Sequence, residues 1–369
     1  MDKSRNILLV TPLYPPDVGG PATHAVFVEN NLPPFGYRVT KCYFGDVKKY
    51  PYIIRHIIFF FIVLRAAHGA DTVYALDPLG VGLPAALAAR FWSKRFVVRV
   101  PGDRAWETGV QKFAVKEDLE DFATKKFYSF IVFPFKFGQT ITTLLARKVV
   151  VPSEYMRRVV MFWGVHENKI AIVSSAYEPQ LLPDKDALRV KLGIRGYSIV
   201  SAGRLVPWKG FRLLIELFPE VLSSRGDATL TIVGDGPDQG TLKQLVATLN
   251  LSDKIIFTGN ILHQEVLERV RAGHLFVLNT GYEGLSHQLI EVMDMETPII
   301  TTRVGGNPEL IENDRDGVLV GYNNRKELLT SITDMMINPI RARYFTENAK
   351  MKLNNYSSEK VVSKLAELL

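Results

Sequence analysis

Glu283 and Glu291 stand with seven residues between them in Gly281-Tyr-Glu-Gly-Leu-Ser-His-Gln-Leu-Ile-Glu291. The run before them, His274-Leu-Phe-Val-Leu-Asn279, is short, apolar and β-prone, which predicts a buried strand. After Glu283-Gly284 turns the chain, the spacing of Leu285, Leu289, Ile290 and Met293 predicts a helix over 285–295. Its first-turn backbone N–H groups, on Gly284, Leu285, Ser286 and His287, would form an anion site. A helix end of this kind carries roughly +0.5 of a charge and attracts phosphate. Two carboxylates beside a phosphate would repel it unless they bind uncharged hydroxyls. The pattern suits a ligand with phosphate in the middle and sugar hydroxyls at both ends, a sugar nucleotide. Taken alone, an ordinary amphipathic helix with an acidic first turn would look the same.

A second stretch adds the matching charge. Ser201-Ala-Gly-Arg-Leu-Val-Pro-Trp-Lys-Gly210 follows another strand-like run and puts Arg204 and Lys209 on a glycine-flanked loop. A planar guanidinium fork beside a mobile ammonium suits a diphosphate.

Four motifs now stand in order: Gly203-Arg204 with Lys209-Gly210, Gly234-Asp-Gly-Pro237, Glu283-x7-Glu291, and Gly305-Gly306-x-x-Glu309. Together they resemble the retaining glycosyltransferases of family 4, the glycosyl transferases group 1 with the GT-B fold. The resemblance implies an α/β protein of two Rossmann-like doubly wound domains facing across a cleft. Residues 1–177 would form the acceptor-side domain, 178–355 the nucleotide-sugar donor domain, and 356–369 a helix returning to the first. It implies metal-independent transfer of a sugar from a nucleotide-diphosphate donor to a lipid-linked or glycan acceptor, with no cofactor and with UDP favoured over GDP. Arg204 and Lys209, with the backbone at Gly284, Leu285, Ser286 and His287, would hold the leaving diphosphate. Glu291 would take the ribose hydroxyls, Glu283 the donor sugar, and Asn260 and Ile261 the base. By the same resemblance Gly203 and Gly234 would belong to donor loops, and Gly19 and Gly20 would face the diphosphate. One position departs from the family: a His-Asp pair follows the fourth strand there, whereas this chain has Gly102-Asp103. A sugar-nucleotide epimerase of the same fold and a non-catalytic sugar-nucleotide binder remain open.

The elements that must position these residues are legible as a pattern. Strands are expected at 6–10, 38–44, 72–76, 96–100, 148–153 and 169–174, and then at 199–203, 229–234, 254–259, 275–279 and 299–302. Helical spacing between them predicts two parallel sheets with crossover helices. A helix from about Ala22 carries His24, read as a surface residue. Asp103, Arg104 and Trp106 follow the 96–100 strand, where open sheets bind ligands. Asp103 is accordingly a candidate catalytic group, and a capped turn at Gly102-Asp103 is the competing reading. Residues 52–68 are apolar but too short to span a bilayer. They read either as a packed helix or as an interfacial one with Phe59-Phe60-Phe61 outward.

Composition bounds the rest. A chain of 369 residues, 47% hydrophobic and 22% charged, predicts two globular domains. The single cysteine, Cys42, excludes an intramolecular disulfide and fits a reducing compartment. Residues 1–6 lead into a strand rather than a secretory signal, so a cytoplasmic place is expected, peripheral on the inner membrane face. Residues 1–178 hold 23 Lys and Arg against 15 Asp and Glu, while the remainder holds 22 against 23. The excess cation in the first half suggests an anionic membrane or lipid-phosphate acceptor. No nucleic-acid motif is visible. Lys125, Lys126, Arg157 and Arg158, set among aromatic and aliphatic runs, are the expected acceptor or membrane surface, joined by Arg104 and Trp106.

Overall fold

The structure is a computed structural model that describes residues 5–17, 19–125 and 127–369. Lys126 lies outside the described residues. The chain divides into two compact units, residues 1–176 with 356–369, and residues 177–355.

The first unit is one parallel sheet of six strands: β1 (Arg5–Thr11), β2 (Tyr37–Tyr43), β3 (Thr72–Ala75), β4 (Arg95–Arg99), β5 (Lys148–Val151) and β6 (Ile170–Ile172), in the order β2-β1-β3-β4-β5-β6. Ile7 of β1 sits between Val39 and Thr72, which sets the register on both sides. Its helices are α1 (Gly20–Asn31), α2 (Tyr52–Ala67), α3 (Gly82–Phe91), α4 (Arg104–Lys112), α5 (Leu119–Thr124), α6 (Phe133–Leu145) and α7 (Glu154–Phe162).

The second unit repeats the plan with β7 (Ser198–Ala202), β8 (Thr229–Val233), β9 (Ile255–Gly259), β10 (Leu275–Leu278), β11 (Ile299–Thr302) and β12 (Val318–Val320), ordered β12-β11-β10-β7-β8-β9. Around it run α8 (Lys185–Lys191), α9 (Phe211–Glu216), α10 (Phe218–Ser224), α11 (Gln239–Thr248), α12 (His263–Ala272), α13 (His287–Asp294), α14 (Asn307–Leu310), α15 (Arg325–Ile337) and α16 (Pro339–Met351). The last helix, α17 (Ser358–Leu368), belongs to the first unit. There Val361, Val362 and Leu365 are buried against Ile7, Leu9 and Tyr74. The Tyr37 hydroxyl donates to the Ala366 carbonyl at 2.7 Å and the Thr72 hydroxyl to the Leu369 carbonyl at 2.8 Å.

Three expectations change. The second sheet has six strands rather than five, because Val318-Leu-Val320 is too short to show a period. The helical spacing expected between the 199–203 and 229–234 strands is two helices meeting at Leu217, where Pro219 brings no backbone N–H to continue the ladder. His24 is buried rather than on the surface, its Nε2 at 3.1 Å from the Tyr74 hydroxyl.

Candidate functional site

In the second unit the chain proceeds from β7 to β8 and β9 on one side, then returns to β10 and moves to β11 and β12 on the other. The order therefore reverses between β7 and β10, and ligands of open α/β sheets bind outside the carboxyl ends of strands at such a point. The loops leaving β7 and β10 are those that carry Arg204, Lys209 and Glu283.

These loops are bonded backbone to backbone. The Gly281 N–H donates to the Trp208 carbonyl at 2.6 Å, and the Gly306 N–H to the Glu283 carbonyl at 3.0 Å. Gly203 donates to Val233 at 2.9 Å and Gly234 to Gly259 at 3.2 Å. Two glycines leave no room for a side chain. A Cβ on Gly210 (φ +59°) would lie 2.1 Å from the Asn279 carbonyl oxygen, and one on Gly305 (φ +62°) 2.0 Å from that of Glu283. Both also hold positive φ, which costs other residues energy. Asn279 adds side-chain bonds, donating to the Gly210 carbonyl at 3.1 Å and to Asn323 Oδ1 at 2.9 Å. The motifs that looked separate in sequence are one packed surface.

On that surface Lys209 is ion-paired with Glu283. The side chains are only 17% and 14% exposed, so their charges are held largely out of water. The Lys209 side chain passes over Gly203, at 3.8 Å from the point where a Cβ there would stand. Arg204 is exposed and forms no ion pair among the described residues. Beside them α13 begins at His287, two residues later than the spacing predicts. Ser286 is its N-cap, accepting from the Leu289 N–H, and Gly284-Leu285 remain in the preceding turn. Ser286 and Gly284 are buried and Leu285 is half-buried.

Glu291 lies one turn into α13, mostly buried, and accepts from two imidazoles: His263 Nε2 at 3.2 Å and His287 Nε2 at 3.3 Å. Burial alone would raise its pKa, but hydrogen bonds from His263 and His287 outweigh burial and hold it at about 2. The hydrogen bond to Glu291 in turn raises the His263 pKa against the opposing effect of burial. His263 starts α12 just after Asn260 and Ile261, which are exposed and half-buried in the turn leaving β9. His263 and Asn279 carry no motif and were not readable from sequence. The only hint was a polar residue ending an apolar strand, at Asn279.

The first unit places its candidates differently. Gly19, with φ +149°, caps α1, and its carbonyl accepts from the Ala22 N–H at 2.9 Å; Gly20 opens the helix with space around it. Asp103 is fully buried (0% exposed) as the N-cap of α4, accepting from the Trp106 N–H at 2.9 Å and from Gln139 Nε2 at 3.0 Å. Burial raises its pKa, against those hydrogen bonds. The capped-turn reading therefore describes its geometry. Arg104 is exposed, 3.6 Å from Asp77 and 3.4 Å from Glu107. Trp106 is buried, its indole N–H donating to the Glu117 carbonyl at 2.9 Å. Lys125 pairs with Glu117, Arg157 with Glu154 and Glu167, and Arg158 lies over the Tyr155 ring.

Residues 184–352 match the family model described as glycosyl transferases group 1. Among curated relatives, the alpha-D-kanosaminyltransferase of Streptomyces kanamyceticus is 29% identical over 163 residues, covering 44% of this chain and 42% of that one. The GDP-mannose-dependent alpha-(1-6)-phosphatidylinositol monomannoside mannosyltransferase of Mycolicibacterium smegmatis is 28% identical over 199 residues, covering 51% and 52%. The chain thus spans about half the length of the curated relatives it matches. Among solved structures, Anabaena HepE in complex with UDP superposes with a TM-score of 0.76 over 99% of both chains at 16% identity. Sucrose-phosphate synthase from Thermosynechococcus elongatus gives 0.80 over 99% and 98%, also at 16%. At such identities the likeness concerns the fold, and with the two parallel six-stranded sheets it makes this an α/β protein of the GT-B class. Residues 184–352 are thus similar in sequence to the glycosyl transferases group 1.

Proposed function

We propose that the protein transfers a sugar from a nucleotide-diphosphate donor to a lipid-linked or glycan acceptor, with retention of anomeric configuration and without a metal. One observation carries the reading. At the strand-order reversal of the second sheet, the loops leaving β7 and β10 carry the exposed Arg204 and the Lys209–Glu283 pair, and the chain runs from Glu283 into the Ser286-capped start of α13 with the carboxylate of Glu291 one turn further on. UDP is the first donor nucleotide to try. The HepE structures that match along 99% or 98% of their length hold UDP or UDP-glucose, whereas the GDP-mannose-dependent relatives match over half of theirs.

In this reading the bond between the sugar C1 and the diphosphate oxygen breaks, and its electron pair leaves with the diphosphate. Arg204, Lys209 and the helix end balance the charge that develops there. The acceptor hydroxyl attacks C1 from the same face and passes its proton to the departing phosphate oxygen. Glu283 holds sugar hydroxyls, and Glu291 the ribose. Trapping a covalent glycosyl-enzyme would contradict the same-face step.

The test is a donor and acceptor screen on the full chain. A nucleotide-diphosphate sugar should raise the melting temperature, since a ligand that binds only the native state must stabilise it. With an acceptor present, one glycoside of retained configuration should form, and EDTA should not stop it. A changed free sugar formed without acceptor, or donor binding with no turnover across the acceptors, would overturn the transferase reading.

A further inference from the structure

The helices on one side of the first sheet carry more outward apolar surface than a solvated face requires. On α2, Phe59, Val63 and Ala67 are buried as a packed helix demands, yet Ile54, Ile57 and Phe61 form an exposed stripe at helical spacing. The neighbouring α3 exposes Leu87 and Phe91, and Trp92 beyond it donates to the Leu64 carbonyl at 2.8 Å, tying the two helices together. On the far side of α3, α6 exposes Phe133, Phe137 and Leu144. The turn before α6 holds out Phe127, Ile131 and Phe130, the last 88% exposed. The rings of Phe127 and Phe130 are 5.2 Å apart, and those of Phe133 and Phe137 are stacked at 5.8 Å. The base of this turn is anchored, because the ammonium of the buried Lys136 donates to the Phe122 and Lys125 carbonyls. Isolated exposed apolar residues are ordinary; a contiguous surface across three packed helices marks an interaction site.

Charge says what covers it. The segments that carry these helices contain no acid at all: there is no Asp or Glu in residues 47–70, 78–102 or 122–153, which hold four, four and five Lys or Arg respectively. The strands of the sheet are parallel, so the helices leading back to β3, β4 and β5 run the same way and end on one side. Arg65, Arg90 and Arg147 stand at those three ends, exposed and without an ion pair among the described residues. A protein partner's interface would be expected to mix signs for register. An aromatic and aliphatic face fringed by cations alone complements an anionic lipid leaflet, whose headgroups meet the arginines while the rings enter the acyl boundary.

We propose that the α2–α3–α6 face of residues 1–176 docks on an anionic bilayer surface, with the Phe127–Ile131 turn as its deepest point. This differs from the surface expected from sequence, since Arg157 and Lys125 are engaged by carboxylates of the chain itself. The proposal stands independently of the donor reading, because none of these side chains belongs to the loops of the second unit. No helix among the described residues is long and apolar enough to cross a membrane.

The test is co-sedimentation of the full chain with vesicles of phosphatidylcholine alone or mixed with phosphatidylglycerol. The chain should bind the mixed vesicles, bind phosphatidylcholine at least ~10-fold less, and release at high salt as screening shortens. Phe61→Ser with Phe130→Ser should weaken binding ~10-fold or more, the scale of leaving two aromatic side chains in water. Both sites are exposed, so the melting temperature and UDP affinity of the variant should match the parent. Equal binding by parent and variant, or no binding to anionic vesicles, would overturn the proposal. So would a dimer in solution that the same substitutions dissolve, because that would assign the face to a second copy of the chain.

Discussion

Lys209 and Glu283 hold each other in a setting where each is mostly shielded from water, and an incoming diphosphate must compete for that ammonium. Removing a preorganised charge of this kind costs at least ~2 kcal/mol of transition-state stabilisation, about 30-fold in kcat/KM. Lys209→Ala should therefore weaken UDP binding and turnover while leaving uridine, which lacks the diphosphate, bound as before; equal loss for both would mean that Lys209 acts on the fold and not on phosphate. The carboxylate at Glu291 makes a second, separable statement. Its pKa lies below the unfolded value, so its contribution to stability is present above about pH 4.5 and fades toward about pH 2. His263 has the opposite sign. Its pKa is raised above the ordinary 6.5, so its contribution is complete below that value and is lost as pH rises through the folded one. The melting-temperature difference between the parent and His263→Gln should be larger near pH 5.5 than near pH 8.5, and smaller in high salt because the imidazole is 66% exposed. A difference independent of pH would show that the imidazole contributes packing alone. These histidines also mark the limit of sequence reading at this scale. Glu291 was visible through its spacing from Glu283, but His263 lies 28 positions away and meets it only through the fold. Asp103 looked like a cleft residue because it follows a strand, yet the same position is where a helix needs its cap.

At the scale of elements, the site depends on turns that only glycine can make. Gly305→Ala would drive a Cβ against the Glu283 carbonyl and force a positive φ on alanine, so a loss of about 1–3 kcal/mol of stability is expected. UDP binding should weaken with it, since the displaced backbone carries Glu283. Gly69→Ala, where the Cβ meets nothing within 4 Å, should be far milder. If the two variants melt alike, the interlocking of the loops is not what holds them. Strands were the most legible elements because buried parallel strands are continuous apolar runs, as Ile7 to Val10 and Val149 to Val151 show. Helix starts were less so. Leu285 fits the apolar period of α13, but Ser286 ends the turn by capping, and local hydrogen bonding overrode periodicity. Helix α2 shows the same limit, because period alone cannot tell which apolar side of an all-apolar helix meets the core.

At the scale of the whole molecule, each unit has its own sheet and core, and the chain's last helix completes the first. Val361, Val362 and Leu365 are each essentially buried, and burying side chains of this size contributes about 1.5–3 kcal/mol apiece. A chain ending at Tyr356 should therefore lose hydrogen-exchange protection in β1, β2 and β3 while β7 to β11 keep theirs; uniform loss would mean that α17 supports both units. The doubly wound plan was readable from strand and helix alternation, whereas the return of the last helix to the first unit was expected only through the family resemblance, since nothing local in Ser358–Leu368 names Ile7 and Tyr74 as its partners.

The central claim is that the loops leaving β7 and β10 bind a nucleotide diphosphate. A rival lies in the same unit: a cavity of about 690 Å³ lined by Arg303, Lys326 and Arg341, although Glu327 and Asp334 already neutralise two of those cations. A crystal structure of the full chain with UDP tests the claim most directly. The account predicts the diphosphate beside Arg204, Lys209 and the Ser286 cap, with the ribose hydroxyls on Glu291. Diphosphate density at Arg303 and Arg341, or anywhere away from residues 204, 209 and 286, would contradict it.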